Sequence, residues 1–148
     1  MSKVIKFWGA KHPLSNFYPS PFEVNGKRYK TNEHFFQSKK FEGTEWEDHI
    51  INLPDPAKAA RTGKRRDLPL RKDWEEIKEN IMYQGLRYKF LSNPKLAAFL
   101  INTGDALLVE NSPYDYYWGI GAKGTGKNRL GILLMKLRDK LRNELEKQ

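Results

Sequence analysis

The sequence predicts an α+β fold, a single helix-rich domain with a small sheet, from three observations. The segment FEVNGKRY turns at Asn25-Gly26, a dipeptide typical of a two-residue β-hairpin. Several segments between residues 30 and 104 begin with helix-capping residues and end at glycine. Near the end, leucines recur on one helical face at Leu130, Leu133, Leu134, Leu137 and Leu141. A chain of 148 residues suffices for one core, so we expect one domain over residues 1–148.

The first half of the chain predicts a strand, a hairpin and three helices. Residues 3–8 are rich in β-branched and aromatic side chains, which favour a strand before the hairpin. Thr31 or Asn32 caps the first helix, and Gly43 stops it. The second helix begins at the capping box Thr44-Glu45-Trp46-Glu47 and ends before Pro54. The third helix begins at Asp55-Pro56 and ends at Gly63.

The second half predicts two more helices, a strand and a final helix. Apolar residues at helical spacing indicate a long helix from about Trp74 to Leu91. Asn93-Pro94 opens a further helix that Gly104 closes, and ALLVE at residues 106–110 is typical of a buried strand. A loop rich in glycine and tyrosine then leads to the leucine-rich helix.

Charge and composition restrict the function without deciding it. Lysine and arginine number 27 against 18 acidic residues, which gives a net charge of +9. Such a balance favours anionic partners, although a solvated basic surface explains it equally well. The absence of cysteine excludes disulfides and thiol catalysis, and three scattered histidines without an H-E-x-x-H spacing predict no metal site. No apolar run approaches the ~20 residues of a membrane span, so we expect a cytoplasmic protein without membrane partners.

The segment KTNEHFFQSKKF, residues 30–41, is the strongest candidate for a functional site. As a helix it places Glu33, Gln37 and Lys40 on one stripe, with Phe36 beside the stripe and Phe35 on the other side. Aromatic residues on several sides predict a largely buried helix. Buried polar groups need partners, so the stripe either forms a structural network, in which Glu33 pairs with Lys40 through Gln37, or faces a ligand.

Two glycine motifs near residue 120 match nucleotide-binding patterns only superficially. The G-x-G-x-x-G at residues 119–124 lacks the following strand of a dinucleotide fold, and the P-loop-like residues 121–128 have Asn128 where a magnesium ligand belongs. Two interpretations stay open. Lys127 and Arg129 at a helix N-terminus suit an anion cradle, whereas a flexible loop capped by Asn128 needs no ligand.

Several further residues have both a functional and a structural interpretation. Asp115 lies in the aromatic cluster Tyr114 to Trp118, although Ser-Pro-Tyr-Asp is also ordinary turn sequence. Trp74 suits a stacking platform or a core position. The loop with Asn16 and Phe17 could bind a planar ligand or could form a structured turn. The basic segment that begins at Arg61 could bind phosphate or could simply be exposed to solvent.

Five segments in order along the chain resemble the NADAR family, which includes the YbiA-like N-glycosidases. They are LSNFYPSPF at residues 14–22, YKTNEHFFQSKKF at 29–41, AKAARTGKRRDLPLRKDW at 57–74, LVENSPYDYYWGIGAKGTGKNRLG at 108–131 and LLMKLR at 133–138. The resemblance covers about residues 5–142. Ordered agreement of this extent is far more specific than either glycine motif.

The resemblance implies a hydrolase that cleaves the N-glycosidic bond between ribose and a nitrogenous base. For YbiA-like members it implies phosphorylated ribosylamino-pyrimidine intermediates of riboflavin biosynthesis as substrates, with release of the base and ribose 5-phosphate. Two alternatives remain: an enzyme that removes ADP-ribose from guanine in nucleic acid, and a non-catalytic module that binds ADP-ribose or nucleic acid. No organic cofactor and no metal are implied.

The resemblance also implies roles for individual residues. Glu33, Lys40 and Asp115 are the expected catalytic residues. Glu33 would stabilise the charge that develops on the ribose, and Asp115 would act either as partner acid or as an anchor for a ribose hydroxyl. Lys40 would either bind the substrate or attack an opened ribose as a Schiff-base nucleophile. The expected substrate-binding residues are Asn16, Phe17, Gln37, Arg61, Trp74, Trp118, Gly119, Lys127 and Asn128.

Overall fold

The structure, a computed structural model, describes residues 3–147 and confirms the predicted α+β class. Six helices and two small two-stranded sheets occur within these residues. In chain order the elements are β1 Val4–Phe7, β2 Phe22–Val24, β3 Lys27–Tyr29, α1 Asn32–Lys39, α2 Glu45–Ile51, α3 Pro56–Gly63, α4 Trp74–Ser92, α5 Pro94–Asn102, β4 Leu107–Glu110 and α6 Arg129–Glu146.

The chain divides into two compact units. Among the described residues, the terminal unit comprises 3–18 and 93–147, and its elements are β1, α5, β4 and α6. The central unit comprises residues 19–92 and contains β2, β3 and helices α1 to α4. The expectation of a single domain over residues 1–148 stays a prediction.

In the terminal unit, α6 packs against a short parallel sheet. Strands β1 and β4 pair in parallel, from Val4 opposite Leu107 to Phe7 opposite Glu110. The predicted leucine stripe of α6 is buried. Gly131, in the first turn of α6, is required by this packing because a Cβ there would lie 2.0 Å from the carbonyl oxygen of Leu108. Any side chain at this position would therefore push α6 away from β4.

Asn128, the N-cap residue of α6, holds the start of this helix on β4. Its backbone is left-handed, with φ 53°, and its side chain makes no capping hydrogen bond. Instead, Oδ1 accepts from the backbone N–H of Glu110 and Nδ2 donates to the carbonyl of Leu108, both at 2.9 Å. The carboxamide thus pairs with β4 as another strand would, because β4 offers it a donor and an acceptor at once.

In the central unit, the predicted hairpin and the first helix form as expected. Strands β2 and β3 are antiparallel, and Asn25 and Gly26 both have positive φ, of 52° and 80°. Positive φ at both positions is the requirement of a type I′ turn. Thr31 is the N-cap of α1, since its hydroxyl accepts from the backbone N–H of His34 at 3.1 Å.

Helix α1 is buried along residues 32–38, in agreement with the sequence prediction. Two glycines permit this enclosure. A Cβ at Gly85 of α4 would lie 1.9 Å from Asn32 Oδ1, and a Cβ at Gly63 of α3 would lie 1.9 Å from Gln37 Oε1. The inward polar groups of α1 therefore lie in a protein interior, where unpaired polar groups are costly.

Lys89 of α4 is fully buried, which makes the stability of the chain depend on pH. Burial lowers the pKa of its amine from 10.5 to about 7. Between these values the unfolded chain binds more protons at this lysine than the folded chain does. The free energy of unfolding should therefore rise as the pH increases through this range.

We expect Lys89→Met to reduce this rise. Urea unfolding of both proteins at about pH 7 and about pH 9.5 measures the effect, because the two values bracket most of the shift. The same pH dependence in both proteins would show that other groups cause it.

Candidate functional site

The predicted polar stripe on α1 lies inside the central unit and begins with an oriented carboxylate. Glu33 is 8% exposed and Gln37 is 4% exposed. Gln37 Nε2 donates to Glu33 Oε2 at 2.8 Å, which restricts the orientation of the carboxylate. Gln37 Oε1 is buried and has no hydrogen-bond partner among residues 3–147. The pair therefore combines an oriented acid with a buried acceptor that packs against Gly63.

The amine of Lys40, one residue beyond α1, lies beside two aromatic rings. Its Nζ is 5.8 Å from the ring centroid of Phe36 and 5.8 Å from that of Trp74. The two rings pack edge to face, with centroids 5.0 Å apart. Nζ donates to the carbonyl oxygen of Gly63 at 3.1 Å, so Lys40 does not complete the predicted hydrogen-bonded network with Gln37.

The surroundings of Lys40 change its protonation. Burial is the main reason that the pKa of Lys40 lies below its ordinary value of 10.5. The nearby cations Lys64 and Lys78 lower it further, whereas Glu33 and Glu75 raise it. A neutral amine is therefore easier to form at Lys40 than at a surface lysine, as nucleophilic catalysis by lysine requires.

Trp74 and Arg61 differ strongly in exposure. Trp74 is 5% exposed at the start of α4, where it packs against Phe36. Arg61 is exposed in the last turn of α3, two residues before the Gly63 carbonyl that accepts from Lys40. Trp74 thus shapes the surroundings of Lys40, and Arg61 offers an exposed cation near the end of α3.

His34, the imidazole in the same motif, has a structural role. Its Nδ1 lies 2.8 Å from the Thr31 hydroxyl, and its Nε2 lies 3.0 Å from the carbonyl oxygen of Leu53. A carbonyl only accepts, so Nε2 carries the proton. Burial lowers the pKa of His34, which favours this neutral form.

In the terminal unit, Asp115 organises a tight turn. Its Oδ1 accepts from the backbone N–H groups of Tyr117 at 2.9 Å and Trp118 at 2.7 Å. Ser112 Oγ accepts from the N–H groups of Tyr114 and Asp115, both at 3.2 Å. The turn interpretation of this sequence is therefore confirmed, and the carboxylate fixes the backbone that carries Trp118.

At the start of α6, most of the backbone donors that an anion cradle would use are already hydrogen-bonded. The N–H groups of residues 128–130 donate to the carbonyls of residues 119, 117 and 118 at 3.0 to 3.1 Å. Lys127 is exposed, with Nζ 5.5 Å from the ring centroid of Tyr117. Anion binding here would consequently depend on the side chains of Lys127 and Arg129.

The remaining predicted residues of the terminal unit are packed against neighbouring residues of that unit. Gly119 is buried, and a Cβ there would lie 2.9 Å from the carbonyl oxygen of Glu110. Asn16 is 6% exposed, and the N–H of Phe17 donates to Ser15 Oγ at 3.1 Å. The half-buried Trp118 packs edge to face against Tyr117, with centroids 4.9 Å apart.

The structure thus groups Glu33, Gln37, Lys40 and Trp74 within the central unit. Sequence reasoning missed two residues that position the predicted ones. The Gly63 carbonyl fixes Lys40, and Ser112 fixes the Asp115 turn. A glycine at a helix end suggested only termination, whereas Ser-Pro-Tyr-Asp already indicated a turn. In the described part of the chain, no cluster of three histidines or acids could hold a metal ion.

Comparison with known proteins identifies the family. The sequence model of the NADAR domain matches residues 6–142. N-glycosidase YbiA of Escherichia coli (strain K12) is 47% identical over 128 residues, which cover 86% of this chain and 80% of that protein. Riboflavin biosynthesis protein VVA0006 of Vibrio vulnificus is 38% identical over 128 residues, 86% of this chain but 35% of that protein.

A solved structure agrees with these relatives. The NMR structure of E. coli YbiA superimposes with a TM-score of 0.91 at 42% identity and covers 100% of this chain and 90% of the YbiA chain. No helix within residues 3–147 has the length and apolar character of a membrane span. The expectation of an enzyme of the N-glycosidase class is confirmed by the relatives. The chain belongs to the NADAR family.

Proposed function

We propose that this enzyme hydrolyses the N-glycosidic bond of phosphorylated ribosylamino-pyrimidine intermediates of riboflavin biosynthesis. The products would be the free base and ribose 5-phosphate. The oriented, buried carboxylate of Glu33, held by Gln37 in the helix that Lys40 directly follows, carries this proposal. The name of the Vibrio relative, a riboflavin biosynthesis protein, supports the substrate class.

Glu33 suits the chemistry of this reaction. As the bond between C1′ and the base nitrogen breaks, positive charge develops on the ribose ring. A carboxylate in a poorly solvated site stabilises that charge and orients the attacking water. The water oxygen then bonds to C1′, and the base leaves with a proton. Gln37 would keep the Glu33 carboxylate in position, and no cofactor or metal takes part in this scheme.

Phosphate and base recognition draw on neighbouring residues of the central unit. Lys40 and Arg61 are the proposed phosphate ligands, since both are cations near the C-terminal end of α3. Trp74 would contact the base with its remaining exposed surface. The expected substrate contacts of Asn16, Phe17, Asp115, Trp118, Gly119, Lys127 and Asn128 stay predictions.

A two-substrate panel tests the proposed function. We expect release of free base from a phosphorylated ribosylamino-pyrimidine with a kcat/KM about tenfold or more above that for ADP-ribosylated guanosine. Chromatographic quantification of the released bases gives both values. A preference for ADP-ribosylated guanosine would overturn the proposed substrate class and leave the N-glycosidase class intact.

Removal of ADP-ribose from guanine is the second candidate function, and the state of Lys40 favours it. A neutral amine can attack C1′ of the ribosylated base, so that the C1′–N bond breaks and the base leaves with a proton; opening of the ribose ring then gives a Schiff base between the amine and C1′. Burial lowers the pKa of Lys40 and so increases the neutral fraction of its amine. The same panel separates the two functions, because each predicts the opposite order of kcat/KM.

A further inference from the structure

A cavity lies within the central unit, on the other side of α1 from Glu33 and Lys40. Its volume is about 370 Å³, within the usual range for small-molecule sites. Helix α1 and the turn after it contribute Phe35, Lys39 and Glu42 to the wall. These positions lie roughly 140° around the helix from the stripe of Glu33 and Lys40, so the cavity is separate from the candidate active site.

Three carboxamide side chains line this cavity without protein partners. They are Asn25 at the hairpin tip and Asn80 and Gln84 one turn apart on α4. Over residues 3–147, none of the three side chains makes a hydrogen bond to protein. Each carboxamide offers two N–H donors and an oxygen acceptor. It can therefore hydrogen-bond to a heterocycle whose edge carries both donors and acceptors.

The charged groups of the cavity are already paired. Glu42 accepts from Lys39 at 2.8 Å and from Arg71 at 3.0 Å. Arg71 also pairs with Asp73 at 2.7 Å. An anion would have to compete with these carboxylates for both cations, so the cavity suits a neutral ligand.

The remaining wall is apolar and partly aromatic. Tyr88 is 37% exposed and is held by Phe22 and Phe35, whose ring centroids each lie 5.9 Å from its own. Ile77 and Ile81 of α4 complete the apolar surface. An aromatic ring beside carboxamides is the combination with which proteins bind unpaired bases.

We propose that this cavity binds a free, neutral nitrogenous base, at a site distinct from the catalytic one. Asn80 and Gln84 hydrogen-bond the edge of the base, and Tyr88 packs against its ring. The proposal does not depend on which ribosylated substrate the enzyme cleaves, since it concerns binding of the base alone.

Titration of the ¹⁵N-labelled chain with cytosine and with adenine, followed by NMR, tests this site. We expect saturable shifts of the Asn80 and Gln84 side-chain amide signals for at least one of the two bases. The variant Asn80→Ala/Gln84→Ala should bind about tenfold or more weakly, because two hydrogen bonds are lost. Asn52→Ala is the matched control, since it removes an exposed carboxamide of the same unit outside the cavity.

Three outcomes would overturn the proposal. They are the absence of saturable shifts for both bases, equal affinity of the double variant and the parent chain, and loss of base binding in Glu33→Gln. The last outcome would place the base at the candidate active site. Shifts that appear only with a single-stranded oligonucleotide would instead identify a nucleic-acid surface. Conversely, failure of the proposed catalysis by Glu33 would leave base binding by Asn80 and Gln84 unchanged.

Discussion

Glu33→Gln should lower kcat for release of free base by roughly 100- to 10,000-fold, with a much smaller effect on KM. The substitution keeps the shape and removes the negative charge that would stabilise the ribosyl cation. A glutamine can still accept from Gln37, so the orientation of the side chain should survive. Measurement of kcat and KM on a phosphorylated ribosylamino-pyrimidine separates loss of catalysis from loss of binding.

Glu47→Gln provides a matched control for this experiment. Glu47 is another buried glutamate of the central unit, at 6% exposure, and it pairs with Lys27 at 3.3 Å. We expect Glu47→Gln to lower stability modestly and to retain turnover. Unchanged kcat in a folded Glu33→Gln variant, as judged by its thermal unfolding, would sink the assignment of Glu33 as the stabilising carboxylate.

On ADP-ribosylated guanosine, for which the second candidate function makes Lys40 the nucleophile, Lys40→Arg should lose activity on the order of 100-fold, nearly as much as Lys40→Ala. Arginine keeps the positive charge, but its guanidinium is effectively always protonated and cannot form a Schiff base. It is also larger than the ammonium group that lies beside Phe36 and Trp74. A neutral amine at Lys40 predicts that kcat of the parent enzyme rises with pH, because deprotonation generates the nucleophile.

Borohydride trapping during turnover reports directly on this lysine. Attack of the Lys40 amine on C1′ expels the base with a proton and opens the ring to an imine, which borohydride reduces to a stable amine. Mass spectrometry should then find the reduced ribosyl adduct on the parent chain and none on Lys40→Arg. Turnover by Lys40→Arg close to that of the parent, with no adduct in either protein, would make Lys40 a binding residue only.

Local signals in the sequence were sufficient for the helices and strands. The hairpin formed at Asn25-Gly26, and α1 began at Thr31, as the turn and capping signals predicted. The leucine stripe of α6 is buried as its spacing indicated. These features depend on residues that are close together along the chain, so they can be predicted without knowledge of the fold.

Side-chain partners were predicted less well, because they come from segments distant along the chain. Asparagine is a common helix-capping residue, yet the Asn128 carboxamide hydrogen-bonds to the backbone of β4, about 20 residues earlier. The structural interpretation of the α1 stripe paired Lys40 with Glu33 through Gln37, yet the Lys40 amine bonds the Gly63 carbonyl, 23 residues later. Helical spacing places a residue on a face, but it does not state which backbone group meets that face.

The sequence by itself determined the α+β class, the order of the elements and the buried polar stripe of α1, and its motifs pointed to the NADAR family. Only the tertiary structure decided which partners that stripe has: Gln37 orients Glu33, while Lys40 is placed beside Phe36 and Trp74. The tertiary structure alone also produced the cavity of Asn25, Asn80 and Gln84. The reason is physical: secondary structure follows from local propensity and periodicity, whereas burial, pKa shifts and converging side chains arise only when distant segments pack together.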